Sequence, residues 1–261
     1  MSQRERHYPS DTTDIEWASM EQFFPLPKPG PNEWKYDRRD VVDAVLYKAR
    51  TGCPWRMLPH DFPPWSTVWG YFRMWRDDGT WERVNDYLRG AVREKEGRDT
   101  NPSLGIVDSQ SVKSASGGEE IGYDGNKKVH GRKRHLMVDI LGMLMAVLIT
   151  NAAVQDRDAL VDLVQTGHAK SPRLVNVLVD GAYNGQPAVT AQITTGVVVT
   201  MVKRTDTKPG FVVIPKRWIV ERTFGWFNHW RQLSKDYEKT TASSEAWIRI
   251  VCAKIAVGRL A

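Results

Sequence analysis

From Leu104 onward the apolar residues of this 261-residue chain fall into short runs of strand length, broken by turns and by segments at helical spacing. That alternation restricts the fold more than any other feature of the sequence. Leu104-Gly-Ile-Val107 is an apolar run ending in Asp108, and a polar, glycine-rich loop from Ser114 to Asn126 follows it. Lys128 to Asp139 and Met143 to Asn151 read as two strands joined at Leu141-Gly142, and Asp156 to Gln165 as a short helix. Leu174 to Val179 is a buried-strand pattern ending in Asp180, and Val197 to Val202 is another strand. A long helix is expected from Pro215 or Lys216 to Ser234, and a last one from about Ser243. The order β-β-β-α-β-α-β-α describes a three-stranded meander feeding parallel strands through helices, an α/β architecture.

The first hundred residues have a different texture. Phe24 to Pro31 carries four prolines and cannot be helical, which makes it a stiff lead-in. Val41, Val42, Val45, Leu46 and Ala49 recur at helical spacing between Tyr36 and Arg50, and Gly52-Cys53-Pro54 stops the pattern. Ser66 reads as the cap of a second helix and Thr80 as the cap of a third, running through Leu88 after the turn Asp77-Asp78-Gly79. Three short helices joined by tight turns suit a helix-turn-helix-like module, from which Tyr71, Arg73 and Arg76 would project toward DNA. Seven of the eleven tryptophans lie in this part, and most read as core. Ala91 to Ser103 reads as a linker, so the expected domains are 1–100, all-helical, and 101–261, α/β.

Composition excludes several classes. With 41% hydrophobic and 26% charged residues the chain is not disordered, and its size needs no disulfide or metal to hold a core. The two cysteines, Cys53 and Cys252, make neither a disulfide framework nor a zinc ribbon and fit a reducing compartment. No apolar run approaches the roughly 18 residues of a membrane helix, and the first residues lack a signal-peptide core. The expectation is a soluble, cytoplasmic protein. Residues 1–100 hold 16 Lys and Arg against 17 Asp and Glu, so the net charge of +6 arises wholly beyond residue 100. Its densest run is Lys127, Lys128, Arg132, Lys133 and Arg134, either a solvated face or a grip on a polyanion.

Three carboxylates stand out. Asp108 and Asp180 each end an apolar strand pattern, where an acid is costly unless paired or bound to a cation, and where open α/β sheets place their ligands. On a helical projection Arg217, Gly225, Asn228, Gln232 and Lys235 fall within roughly 40° of Glu221, opposite Ile219, Trp226, Phe227, Trp230 and Leu233. Glu221 thus heads a polar stripe on a helix with an aromatic back.

At this point the chain resembles the DDE transposases of bacterial insertion sequences, in the insertion sequence five family, over nearly its whole length. The residues that carry the likeness are Cys53-Pro-Trp-Arg-Met-Leu-Pro59 with Trp65-Ser-Thr-Val-Trp-Gly-Tyr-Phe72, Val107-Asp-Ser-Gln-Ser-Val-Lys113, and Gly122-Tyr-Asp-Gly-Asn-Lys-Lys-Val-His-Gly-Arg-Lys-Arg-His135. Val154-Gln-Asp-Arg-Asp158, Val179-Asp-Gly-Ala-Tyr183, Arg217-Trp-Ile-Val-Glu-Arg-Thr-Phe-Gly-Trp226 and Leu233-Ser-Lys-Asp-Tyr-Glu238 complete it, in order. The resemblance implies a ribonuclease H-like catalytic domain with a mixed five-stranded sheet, and Asp108, Asp180 and Glu221 as its catalytic, metal-binding triad. The triad spacings are 72 and 41 residues, and the second leaves room for one strand and little more, so the large inserted β-domain of some related transposases should be absent. The family's tyrosine and lysine positions around the glutamate hold Ile214 and Asn228 here, so Arg222, Arg231 or Lys235 would take the lysine's place on the flanking phosphate.

The implied chemistry is two-metal phosphoryl transfer, with Mg²⁺ suited to three carboxylates without His or Cys and Mn²⁺ as substitute. By analogy with the fold, Asp108 would bridge two ions and Asp180 and Glu221 would each hold one. The implied activity is cleavage at the element's terminal inverted repeats, then joining of the 3′-hydroxyl to target DNA, without a nucleotide cofactor. Double-stranded DNA is the expected partner, with Lys113, Lys127, Lys128, Arg132, Lys133, Arg134 and Arg217 on its backbone. A homodimer or higher assembly would pair the two ends, and the site of action would be the bacterial nucleoid, with no membrane partner. Two alternatives use the same residues: a ribonuclease H-like nuclease without strand transfer, and a transposase-derived DNA-binding protein.

Overall fold

A computed structural model describes residues 7–24, 36–115, 117–202 and 216–261. The first six residues, the proline-rich stretch from residue 25, and Ile214 with Pro215 lie outside the described residues.

Four helices come first: α1 (Asp14–Ala18), α2 (Arg38–Thr51), α3 (Trp65–Asp77) and α4 (Thr80–Lys95). Thr13 and Glu16 form a reciprocal capping box on α1, and Asp37 caps α2 by accepting from the Arg39 amide. Gly52, at φ 67°, ends α2 in the left-handed conformation that a helix stop favours. Two starts differ from expectation. α3 begins at Trp65 behind Pro64 without a side-chain cap, and α4 is preceded by Gly79, not capped by Thr80. α4 also runs seven residues past Leu88 into the expected linker, because Val92 is fully packed in the core.

The sheet contains β1 (Leu104–Lys113), β2 (Gly122–Asp124), β3 (Val129–Val138), β4 (Leu144–Asn151), β5 (Asn176–Val179) and β6 (Val198–Met201). Between and after the strands come α5 (Leu160–Lys170), α6 (Gln186–Thr195), α7 (Trp218–Phe227) and α8 (Thr241–Val257). β3 pairs antiparallel with β1 on one side and with β4 on the other, while β1, β5 and β6 run parallel. The order β4-β3-β1-β5-β6 is the ribonuclease H-like arrangement, and the short β2 extends the β4 side of β3 as a sixth strand. β2 lies inside the segment expected to be a loop.

Alternate residues of each strand face opposite layers. Ile106, Leu136 and Val138 face a core shared with α2, α3, α4, α7 and α8. Val107, Met137, Val177 and Val179 face a second core with α5 and α6. The first core crosses residue 100 without a break: Phe72 of α3 stacks on Trp247 of α8 with ring centroids 4.6 Å apart.

Candidate active site

The parallel pairing of β1 and β5 ends at Ile106 and Leu178, and the two strands then separate. Asp108 and Asp180 each lie two residues further along the chain, and both carboxylates come within 3.5 Å of the Arg217 guanidinium. Asp108 is not at a strand end, because β1 continues along β3 to Lys113. Its Oδ1 accepts from the Ser109 amide at 2.8 Å. Asp180 follows β5 and caps a short 3₁₀ turn, accepting from the Ala182 amide at 2.8 Å. Glu221 enters from the first turn of α7 with a side chain 51% exposed, against 17% for Asp108.

All three carboxylates turn toward one guanidinium. Arg217, at the start of α7, places Nη2 3.5 Å from Asp108 Oδ2 and 3.5 Å from Glu221 Oε1, and Nη1 3.4 Å from Asp180 Oδ2. Its side chain is 12% exposed, and its buried Nε has no partner among the described residues. Burial pushes the Asp108 carboxyl up to about 6; Arg217 and Lys127 oppose that rise and the neighbouring Asp180 adds to it.

The donor set fits a hard divalent cation: three carboxylate oxygens from separate elements, directed at a shared positive charge. The carboxylates do not yet form a cage. Among the described residues no three His, Cys, Asp or Glu side chains are gathered closely enough to hold an ion as they stand. The guanidinium lies between them.

The basic run divides in two. Lys127 and Lys128 are exposed on the turn between β2 and β3, with Lys127 Nζ 3.4 Å from the Ser109 carbonyl beside Asp108. Arg132, Lys133 and Arg134 are buried, unlike the rest of the run expected on phosphates. Arg132, 0% exposed, pairs with Asp236 at 3.2 Å and donates to the Glu119, Glu238 and Lys239 carbonyls and the Ser244 hydroxyl. Lys133 sits between Asp156 at 2.8 Å and Asp124 at 3.7 Å. Arg134 donates to the Leu233 carbonyl at 2.8 Å, and burial pulls it down to about 10. An unpaired buried charge is costly, and carboxylates from Asp236, Asp124 and Asp156 neutralise Arg132 and Lys133, whereas Arg134 is held by the Leu233 carbonyl.

The expected long helix stops at Phe227 and resumes as a 3₁₀ turn over Arg231–Leu233, so Gln232 and Lys235 do not continue the Glu221 stripe. Contacts from α2 hold this bend: Arg50 donates to the His229 carbonyl and the buried Lys48 to Gln232 Oε1. Of the three candidates for the flanking phosphate, Arg222 is packed between Trp218 and Trp226, its guanidinium carbon 4.7 and 4.8 Å from their rings, and donates to the Leu141 carbonyl. Arg231 and Lys235 are exposed, as is Lys113 at the end of β1.

An open groove of about 790 Å³ lies between α3 and the segment before α8, a feature sequence reasoning missed. Trp55, Trp69 and Tyr237 line it together with Arg73 and Arg76. Arg73 is exposed and lies 4.7 Å over the Trp69 ring, whereas Arg76 pairs with Asp77 and donates to Ser243. Tyr71 is half-buried and stacks on Trp75. No helix is long and apolar enough to cross a membrane among the described residues.

Residues 12–85 match the model of the IS4/5 transposase family (DUF4096), and residues 99–254 match the transposase DDE domain. The chain is 30% identical over 112 residues to the insertion element IS402 uncharacterized 16.2 kDa protein of Burkholderia cepacia, covering 41% of this chain and 75% of that one. It is 29% identical over 134 residues to the protein assigned as transposase for insertion sequence element IS402 from the same organism, covering 48% of this chain and 62% of that one. Among solved structures, the Mos1 mariner paired end complex with Mn aligns over 94% of this chain and 81% of that chain, at 11% identity and a TM-score of 0.34.

Proposed function

The chain belongs to the transposase DDE domain family, and from that membership we propose that it is a DNA transposase. It binds the terminal inverted repeats of its own insertion sequence, cleaves at the ends and joins the freed 3′-hydroxyl to target DNA. The observation that carries this reading is the convergence of Asp108, Asp180 and Glu221, from three separate elements, on one cationic position. Packing does not explain three like charges gathered from separate elements, one of them, Asp108, largely withdrawn from solvent at 17% exposure.

Asp108, Asp180 and Glu221 would hold divalent cations, Mg²⁺ in the cell, which when bound would polarise the scissile phosphate and stabilise both the attacking and the leaving oxygen. The remaining work falls to side chains. Asp108 and Asp180 are oriented by the Ser109 and Ala182 amides, so their free oxygens face inward. Lys127 and Lys128 offer positive charge at the rim beside Asp108, where a DNA backbone would pass. Arg231, Lys235 and Lys113 are exposed cations that could meet phosphates elsewhere on the surface. The aromatic and cationic groove beside α3 would engage the inverted repeat, with Arg73 the more exposed of its two arginines. Two ends must be brought together for joining, so the active form would be a homodimer or higher assembly on DNA.

The test is a cleavage and joining assay on a duplex carrying the element's own ends, with and without Mg²⁺. Cleavage that requires Mg²⁺, is lost in Asp108→Asn, Asp180→Asn and Glu221→Gln, and ends with a 3′ end joined to a second duplex is the expected result. Wild-type cleavage rates in Asp108→Asn would sink the site, and cleavage without joining would reduce the protein to a nuclease.

A further inference from the structure

Three carboxylates share one guanidinium, and none of them has it to itself. An arginine recruited to stabilise one acid forms a bidentate pair near 2.8 Å, but Arg217 stands 3.4–3.5 Å from three different oxygens. Nη2 lies between Asp108 and Glu221, and Nη1 faces Asp180. The rest of the side chain gains little: Nε is buried without a partner among the described residues, a cost that a structural ion pair would ordinarily relieve.

The position of the fork matters more than the strength of its contacts. A Mg²⁺ ion takes carboxylate oxygens at about 2.0–2.1 Å. An ion at that distance on the line from any of these oxygens to the nitrogen it faces, 3.4–3.5 Å away, would stand within about 1.5 Å of that nitrogen, far inside contact distance. Two cations at such a separation repel, so the guanidinium and a divalent ion exclude each other. Charge points the same way. One guanidinium leaves three carboxylates under-neutralised, which keeps the site attractive to a more highly charged ion.

We infer that Arg217 is a resident cation that occupies the metal position of the DNA-free protein, holding Asp108, Asp180 and Glu221 together until a divalent ion displaces it. This inference rests on the metal-dependent reading of the site. It assigns Arg217 a positioning role distinct from any contact with DNA: it prevents the acids from springing apart, and it weakens divalent-ion binding until the guanidinium has somewhere else to go. The exposed rim toward Glu221 is the open side through which the side chain can leave.

The measurement is Mn²⁺ binding to the full-length protein without DNA, read from the electron paramagnetic resonance of free Mn²⁺ and from calorimetry at fixed pH and ionic strength. In Arg217→Gln the competitor is gone and the site is more negative, so Mn²⁺ should bind about tenfold more tightly than to wild type. Arg217→Lys keeps a positive charge and should stay close to wild type. Metal-free Arg217→Gln should melt at a lower temperature than wild type, and saturating Mn²⁺ should raise its melting temperature by more than it raises that of wild type. Equal or weaker Mn²⁺ binding by Arg217→Gln, with wild type binding the ion, overturns the resident-cation role and leaves the metal site standing. Absence of binding in both proteins, or binding that survives Asp108→Asn, overturns the metal reading itself and this inference with it.

Discussion

Lys127 and Arg132 stand five positions apart in one basic run, yet one faces solvent and the other is sealed beneath the sheet. Removing Arg132 strands Asp236 in the core, and breaking a buried pair in this way costs about 3–5 kcal/mol. Arg132→Ala should therefore unfold at much lower urea, whereas the double variant Lys127→Ala, Lys128→Ala should stay within about 0.5 kcal/mol of wild type. DNA binding should respond in the opposite sense: the double variant loses about 0.9 in the log–log salt slope for each phosphate contact removed. An unchanged slope would move the DNA path off this turn. The sequence could not separate these two groups. A strand with charged residues on both faces has no apolar alternation, and the partners that neutralise Arg132 and Lys133 come from Asp236, Asp156 and Asp124, most of them far along the chain. The acids Asp108 and Asp180 were legible because each follows an apolar strand run. Arg217 was legible as a neighbour of Glu221 and as an expected DNA contact, but its place among three carboxylates was not, since that depends on how three elements meet.

Among the elements, the pairing of β1 with β3 carries the most weight, because it fixes the strand that bears Asp108. Gly131 is where that pairing is tightest. A Cβ built there would stand 2.0 Å from the Val112 carbonyl oxygen and 2.6 Å from the Ser114 amide, both backbone atoms that cannot step aside. Gly131→Ala should then separate the C-terminal half of β1 from β3, with a severe loss of soluble yield and of the urea midpoint. A variant with wild-type stability would show that this register is wrong. Strand β4 and helix α2 could be read from their apolar patterns, whereas β1 was legible only as far as Asp108 and α4 only through Leu88. The split of the last polar helix at Phe227 could not, because contacts from α2 impose it on a sequence that locally favours continuing.

At the scale of the molecule, one core joins the helical region to the sheet, so a local change in either is felt by both. Asp43 on α2 makes this measurable. It is buried, accepts from the Thr12 amide at 2.8 Å and hydroxyl at 2.9 Å, and burial raises its carboxyl to about 6 despite Arg39 nearby. Between its unfolded value near 4 and about 6 the folded protein holds a proton there that the unfolded chain has lost. Stability therefore falls as pH rises through that window and is level above it, by at most about 3 kcal/mol. His135 acts in the opposite direction. Burial draws it down to about 4, so the unfolded chain binds the extra proton and stability falls as pH drops below about 6.5. The two slopes oppose each other in the wild-type curve, and only a difference isolates one of them. Asp43→Asn keeps an oxygen acceptor for Thr12 and cannot ionise. Its urea midpoint, measured from pH 4 to pH 7, should gain on wild type progressively up to pH 6 and then run parallel. Because the core is continuous, the displacement should appear equally in tryptophan fluorescence, which is weighted toward the helical region, and in circular dichroism, which also reports the sheet. A shift in one signal alone would mean that the two regions unfold separately and that the shared core does not couple them.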